Sequence, residues 1–263
     1  MRKSFLLVAM AFAFGSQRPS AAPPTPVVVE LFTSEGCESC PPADVLLQQL
    51  ASTQPVTGAQ IVPLSLHVDY WDQLGWKDRF SSAALTNRQR VYGARFNTES
   101  VYTPQMVVDG RSELVGSDGA AARKAIARAA ALAHGSVRIA LDGAQIIVTA
   151  SDLPPHGDRA DIVVAVTEDH LKSNVTRGEN HGRTLTHTAV VHRLITIGEA
   201  AGRSADARTT IAIDPAWKRD DIRIVAFVQE RRGGAVLASG TILLEPGNVS
   251  RPPSRDPLRR PSP

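Results

Sequence analysis

Leu31-Phe-Thr-Ser-Glu-Gly-Cys37-Glu-Ser-Cys40-Pro-Pro-Ala-Asp44 decides how the rest of the chain is read. A β-branched run, Val27-Val28-Val29, precedes it, and apolar residues of helical spacing follow at Ala43, Leu46, Leu47 and Leu50. Val27 to Phe32 therefore reads as a buried strand and Pro42 to Leu50 as a helix, with both cysteines in the turn between them. They are the only cysteines in the 263 residues. A Cys-x-x-Cys at the mouth of a helix suits thiol-disulfide exchange: unpaired helix amides stabilise a thiolate, and the second sulfur is near enough to resolve a mixed disulfide.

Working outward, Ile61 to Val68 predicts a second strand, and the apolar positions between Lys77 and Phe96 predict a second helix. Val101-Tyr-Thr-Pro104 breaks that pattern. Gln105 to Val108 and Glu113 to Val115 read as a hairpin around Asp109-Gly110. Ser117 then offers a cap for an Ala-rich helix ending near His134. Strand, helix, strand, helix, strand, strand, helix, with Cys-x-x-Cys after the first strand and a proline before the third, is the thioredoxin arrangement: a mixed sheet with flanking helices, expected over residues 23–135.

Beyond Gly135 the pattern changes to alternation. Strand-like runs are Val137 to Leu141, Ile146 to Ala150, Asp161 to Thr167, Thr186 to Ile197, Thr209 to Ile213, Ile222 to Gln229 and Ala235 to Leu244. They predict an antiparallel β-sandwich-like domain over residues 136–245. From Pro246 to Pro263 the chain is rich in Pro, Ser and Arg with little to bury, which predicts a disordered tail.

At the other end, Arg2 and Lys3 precede an apolar run from Phe5 to Phe14, followed by Ser20, Ala21 and Ala22. That is the anatomy of a secretory signal over residues 1–22, and the run is about half the roughly 20 residues a membrane span needs. Cleavage would remove Arg2, Lys3 and Arg18 and no acid, leaving 26 basic against 26 acidic residues. A neutral chain gives no electrostatic case for nucleic acid or an anionic membrane, and no stable membrane anchor remains after cleavage. The expected location is secreted or periplasmic, where disulfides persist.

Three readings compete for Cys37 and Cys40. A structural disulfide this short restricts the unfolded chain little. A metal site would have only two thiolates, with no second Cys-x-x-Cys or spaced histidine pair to complete it. Thiol-disulfide exchange needs nothing more than what is present, and no cofactor. Cys37 is the expected exposed nucleophile and Cys40 the covered resolving sulfur. Pro41 and Pro42 disfavour helical dihedrals at Cys40 and Pro41, which would start the helix only near Pro42 and leave Cys37 far from its amides. Glu38 should raise the Cys37 pKa, so a moderately reducing or neutral pair is expected. Pro104 is expected as a cis proline shaping the substrate cleft, with Thr103 beside it.

His67-Val-Asp-Tyr-Trp-Asp-Gln-Leu-Gly-Trp76 ends the second strand on the same edge of the sheet as the cysteine turn. His67 or Asp69 is positioned to shuttle a proton, and Tyr70, Trp71 and Trp76 to floor a substrate groove; the competing reading is a packed aromatic loop. His187 and His192 are an odd number of residues apart, so one extended strand would send them to opposite faces and give them no shared metal. Arg177-Gly-Glu-Asn-His-Gly-Arg183 reads as a solvated hairpin loop, the alternative being a loop docked on the cysteine domain or holding an anion.

Phe32 to Asp44, His67-Val-Asp-Tyr-Trp-Asp72, Val101-Tyr-Thr-Pro-Gln105 and Arg177-Gly-Glu-Asn together resemble a family of secreted bacterial proteins, domain of unknown function 1223, placed with the thioredoxin-like folds. The resemblance runs from about Val27 to Leu244. It implies a thioredoxin-like fold, export and a redox role, and it names no substrate. The function expected is an exported thiol-disulfide oxidoreductase whose partners are a protein thiol or disulfide and a redox donor. The alternative is a non-enzymatic module that binds copper or another soft metal through Cys37, Cys40 and His67, or a partner-binding redox switch.

Overall fold

The computed structural model describes residues 23–157 and 159–244. The predicted signal (1–22) and tail (246–263) lie outside the described residues. The first half runs β1 (Thr25–Thr33), α1 (Pro41–Thr53), β2 (Ala59–His67), α2 (Ala83–Phe96), β3 (Gln105–Val108), β4 (Ser112–Val115) and α3 (Gly119–Ala130). β1 pairs in parallel with β2 and antiparallel with β3, and β4 returns antiparallel on β3. Asp109 and Gly110 take left-handed φ values of 51° and 61°, the combination a tight hairpin turn demands of its central pair.

Two helix starts differ from the sequence reading. Residues 77–82 are not helical, because Asp78 is spent on non-helical contacts: its carboxylate accepts from the Phe80 and Glu35 amides. Ser82 then caps α2 by accepting from the Leu85 amide. Asp118, not Ser117, caps α3, accepting from the amides of Ala120 and Ala121. α3 also stops at Ala130, short of His134.

The second half contains β5 (Ser136–Asp142), β6 (Gln145–Ser151), β7 (Ala160–Glu168), β8 (Leu171–Asn174), β9 (Thr184–His187), β10 (Val190–Ala200), β11 (Ala205–Thr210), β12 (Ile222–Glu230) and β13 (Val236–Leu243). The run expected as one strand from Thr186 to Ile197 is two, broken at Ala189, whose φ is 52°. The strand expected at Thr209 to Ile213 lies earlier, as β11. Four of the later strands do not form a sheet of their own. They continue the first sheet, giving an eight-stranded mixed sheet in the order β13-β12-β7-β10-β2-β1-β3-β4. β11-β6-β5 form a separate three-stranded sheet, and β8-β9 a two-stranded one.

Alternation along the strands sorts the side chains into three cores. Val27, Val29 and Leu31 of β1 pack under α1 and α3 with Leu47, Leu50 and Ile126. Val28 and Phe32 face the opposite side, where α2 contributes Leu85 and Tyr92 and the later strands contribute Val163, Val225 and Phe227. The sheet therefore curls so that its C-terminal part covers the face of its own N-terminal part. On the far side of β7 and β12, Ile162, Val164, Val166, Ile224 and Ala226 pack against the three-stranded sheet.

The seam between the halves is narrow: β10 pairs with β2 only at Val190 and Ser65. The remaining outer edge of β2 is blunted. Gln54 closes both backbone groups of Ile61, and Pro63 has no amide to offer. Side chains reinforce the junction instead. Glu30 of β1, Arg88 and Tyr92 of α2 and Gln229 of β12 form one buried network, in which Gln229 donates to Tyr92 Oη at 2.8 Å and accepts from Arg88 at 3.0 Å. Arg88 and Tyr92 both donate to the Glu30 carboxylate.

Candidate functional site

The cysteine turn sits where the strand-helix grammar places it, and Cys37 and Cys40 are joined by a disulfide with Cα atoms 5.4 Å apart. Cys40 is the N-cap of α1 and takes helical dihedrals (φ −78°, ψ −37°), so the helix starts at Pro41, earlier than the double proline predicts. The turn itself overrides the pre-proline preference: the Cys40 amide donates to Cys37 O, while Cys40 O accepts from the amides of Ala43 and Asp44. Pro41 and Pro42 have no amides, and the next two are taken by Cys40 O. The helix thus aims no free N–H at the sulfurs, contrary to the usual way such turns stabilise a thiolate.

Hydroxyl groups occupy that role. Thr103 donates to Cys37 Sγ at 3.3 Å, and Ser39 Oγ lies 3.4 Å from the same sulfur. Trp71 Nε1 donates to Thr103 Oγ1 at 2.8 Å, which orients the threonine hydroxyl toward the sulfur. Pro104 follows Thr103 through a cis peptide at the entrance to β3. Trp71 also closes on the turn from the side, its Cβ standing 3.2 Å from where a side chain on Gly36 would begin. Tyr70, Trp71 and Trp76 are all half-buried.

The expectation of an exposed Cys37 is corrected by the structure: both cysteines are fully buried. The Arg177–Arg183 loop is not the wholly solvated hairpin expected; it docks on the cysteine turn, the alternative offered for it from the sequence. Asn180, itself fully buried, donates from one side-chain amide to Glu35 O at 2.8 Å and Cys37 O at 2.9 Å. Its neighbour Glu179 accepts from the Glu38 amide at 3.0 Å.

Glu35 of the cysteine turn and Asp44 of α1 belong to a buried group of ionisable side chains drawn from both halves, with His67, Asp78 and His187. His67 Nδ1 is 2.6 Å from Asp78 Oδ2, and His187 Nε2 is 3.2 Å from Glu35 Oε1. Trp76 Nε1 donates to the other Glu35 oxygen at 2.7 Å, so Trp76 serves the interior as well as the aromatic surface. The two imidazole rings meet edge to face with centroids 5.0 Å apart, and Phe80 packs against both.

These environments separate the carboxyl groups. Burial pushes Asp44 up to about 6, although His187 and His67 pull it the other way. Thr33 faces Asp44, yet neither Asp44 Oδ1 nor Thr33 Oγ1 completes a hydrogen bond. Burial, the largest single influence, opposes ionisation of Glu35 and Asp78, but His187 with the Trp76 hydrogen bond at Glu35, and His67 with the Glu35 and Phe80 amides at Asp78, together hold each carboxyl below its usual range. His67 is displaced upward: burial opposes its charge, but Asp78 together with Asp44 and Glu35 more than offsets that. His67 Nε2 and His187 Nδ1 are buried without a partner.

Of the residues named from sequence for proton transfer, His67 is in this cluster and Asp69 is not. Asp69 accepts from the Thr86 hydroxyl at 2.6 Å, which ties the loop to α2. Asp44 was part of the deciding stretch without a role assigned to it. Its signal is legible in retrospect: a carboxylate one helical turn after Cys40, beside apolar positions that face a core. Glu35, Asp78 and Asn180 carried no such signal, since their burial depends on distant segments.

The histidines of the second half do not share a site. His187 ends β9 and turns to Glu35, whereas His192 stacks on Trp217 at 4.3 Å and reaches Glu168. Among the described residues, no group of three or more His, Cys, Asp or Glu is arranged to hold a metal. Nor is any helix among them long and apolar enough to cross a membrane.

Comparison with solved structures finds protein AGR_C_4864 from Agrobacterium tumefaciens, 26% identical, with a TM-score of 0.70 over 88% of this chain and 100% of that one. HBP35 of Porphyromonas gingivalis is similar in fold, with a TM-score of 0.62 at 16% identity, covering 92% of this chain and 82% of that chain. No curated protein matches the sequence. Residues 28–229 match the family described as "Protein of unknown function (DUF1223)", and the chain belongs to that family.

Proposed function

We propose that this protein is an exported thiol-disulfide oxidoreductase with a thioredoxin-like first half, acting on protein thiols or disulfides through Cys37 and Cys40. The observation that carries the reading is a disulfide at a strand-to-helix turn whose Cys37 Sγ receives the hydroxyl of Thr103, the residue joined to Pro104 by a cis peptide. The Thr103 hydroxyl on Cys37 Sγ favours a thiolate there when the pair is reduced, so Cys37 is the attacking sulfur. Asp44, poised near neutrality, shares the helix face of Cys40.

In the direction that reduces a substrate, the Cys37 thiolate attacks the substrate disulfide and forms a mixed disulfide, releasing the first substrate sulfur. Asp44 then takes the proton of the Cys40 thiol. The Cys40 thiolate attacks Cys37, the bond between Cys37 and substrate breaks, the Cys37–Cys40 bond forms, and the second substrate sulfur leaves as a thiolate. The pair loses two electrons and the substrate gains them. Run backwards, the same steps oxidise a substrate dithiol. The strand order β2-β1-β3-β4 with α1 and α3 on one face supports the thioredoxin-like reading of the first half. The signal-like N-terminus and the cysteine pair support export.

Trapping tests this. The Cys40→Ser protein, expressed with its leader and recovered after acid quenching, should carry proteins disulfide-bonded to Cys37, which reducing agent releases. Recovery of copper-loaded reduced wild type with no trapped partner would replace the redox reading with metal carriage.

A further inference from the structure

We propose that the hairpin formed by β8, β9 and the loop between them is a gate over the disulfide, and that a substrate chain reaches Cys37 only when this hairpin withdraws. The inference rests on the redox reading for its meaning but on separate observations for its geometry. Both cysteines and Asn180 have 0% exposure. An attacking thiolate must approach the sulfur along the S–S axis, and a sulfur without accessible surface gives it no approach.

The part of the hairpin next to the cysteine turn is one tied unit. Its loop is internally tied, with the Val175 amide donating to Arg183 O, the Gly182 amide to Val175 O and the Arg183 amide to Asn180 O. Arg183 also donates to Asn180 Oδ1 at 2.9 Å, holding the side-chain amide toward the cysteine turn. β8 and β9 pair only with each other, as a sheet separate from the large one. The tip of the hairpin is held on the turn by polar contacts alone, Asn180 on Glu35 O and Cys37 O and Glu179 on the Glu38 amide, while its base is anchored by His187 on Glu35, by Arg79 on Lys172 O and by the buried Val175 and Leu185. Gly75 and Gly178 allow the two loops to meet closely, since a side chain added at Gly178 would begin 3.1 Å from Trp76 Cβ.

Asn180 offers amide hydrogens to two carbonyls of the turn that carries Cys37, those of Glu35 and of Cys37 itself. A polypeptide substrate lying along that turn would compete for the same carbonyls. The gate therefore discriminates by displacement: an extended, unfolded segment can replace the Asn180 contacts, whereas a small disulfide cannot.

The test uses the oxidised full-length protein and dithiothreitol. One dithiothreitol thiolate attacks Cys37, Cys40 leaves as a thiolate, and the second dithiothreitol sulfur closes the ring and frees Cys37. If the gate opens before attack, the reduction rate levels off with rising dithiothreitol at the opening rate. Asn180→Ala should raise that plateau by about tenfold, as loss of a buried hydrogen-bonding group implies. His187→Gln, which weakens the second attachment, should raise it as well and decides the matter if Asn180→Ala does not fold. A rate that stays linear in dithiothreitol at the value of an open Cys-x-x-Cys, or a plateau unmoved in the folded variants, would overturn the gate. Because dithiothreitol reduces any accessible disulfide, this result is independent of whether trapping on Cys37 finds partners.

Discussion

Asp44 has an ordinary carboxyl pKa of 3.8 and one of about 6 in the folded protein. A raised folded value means the native state binds more protons than the unfolded chain between those limits. Stability contributed by the protonated form is therefore complete below pH 3.8, falls as pH rises toward 6 and stays lost above it. Asp44→Asn should stabilise the protein by about 2 kcal/mol at pH 7, an advantage that vanishes below about pH 4. Chemical denaturation across that range checks it. The same variant should slow resolution of the mixed disulfide by about 10-fold or more, as removal of a general base does. Thr103→Val should reduce the alkylation rate of reduced Cys37 severalfold at pH 7, because the thiolate loses a donor that the double proline prevents the helix from supplying.

Elements were read from the sequence where local chemistry decides them and missed where distant segments decide. β1, α1 and the Asp109-Gly110 hairpin follow from a β-branched run, an apolar stripe and a pair suited to positive φ. The start of α2 does not, because Asp78 is withdrawn from helix by His67 and the Glu35 amide, and no local signal in residues 77–82 announces those partners. The docking of Asn180 on the cysteine turn is legible only as the alternative reading for the same reason: it lies in a polar glycine-bearing loop that by composition belongs in solvent. At the Asp109-Gly110 turn, a side chain on Gly110 would begin 2.0 Å from Gly234 O, in backbone that L residues rarely adopt. Gly110→Ala should therefore destabilise by about 3 kcal/mol or more in denaturant unfolding, since neither the turn nor the opposing backbone can yield cheaply.

At the scale of the whole molecule, the change of pattern at Gly135 predicts a thioredoxin-like domain followed by a separate β-sandwich-like one, yet the later strands extend the first sheet and curl over its open face. The reason is physical. Val28 and Phe32 of β1 are as apolar as Val27 and Val29, so both faces of the first sheet need a cover. Only α2 and the later strands can supply the second. Glu30→Gln should cost about 3 kcal/mol or more, because Arg88 would be left buried without its paired carboxylate at the junction.

In the proposed function, Cys37 carries electrons to or from protein disulfides. Reduction of insulin disulfides by dithiothreitol, followed with wild type, Cys37→Ser and Cys40→Ser at equal concentration, addresses it most directly. The wild type should catalyse the reduction, Cys37→Ser should not, and Cys40→Ser should hold a stoichiometric insulin adduct on Cys37. Wild-type protein no faster than Cys37→Ser, with no adduct on Cys37, would contradict it.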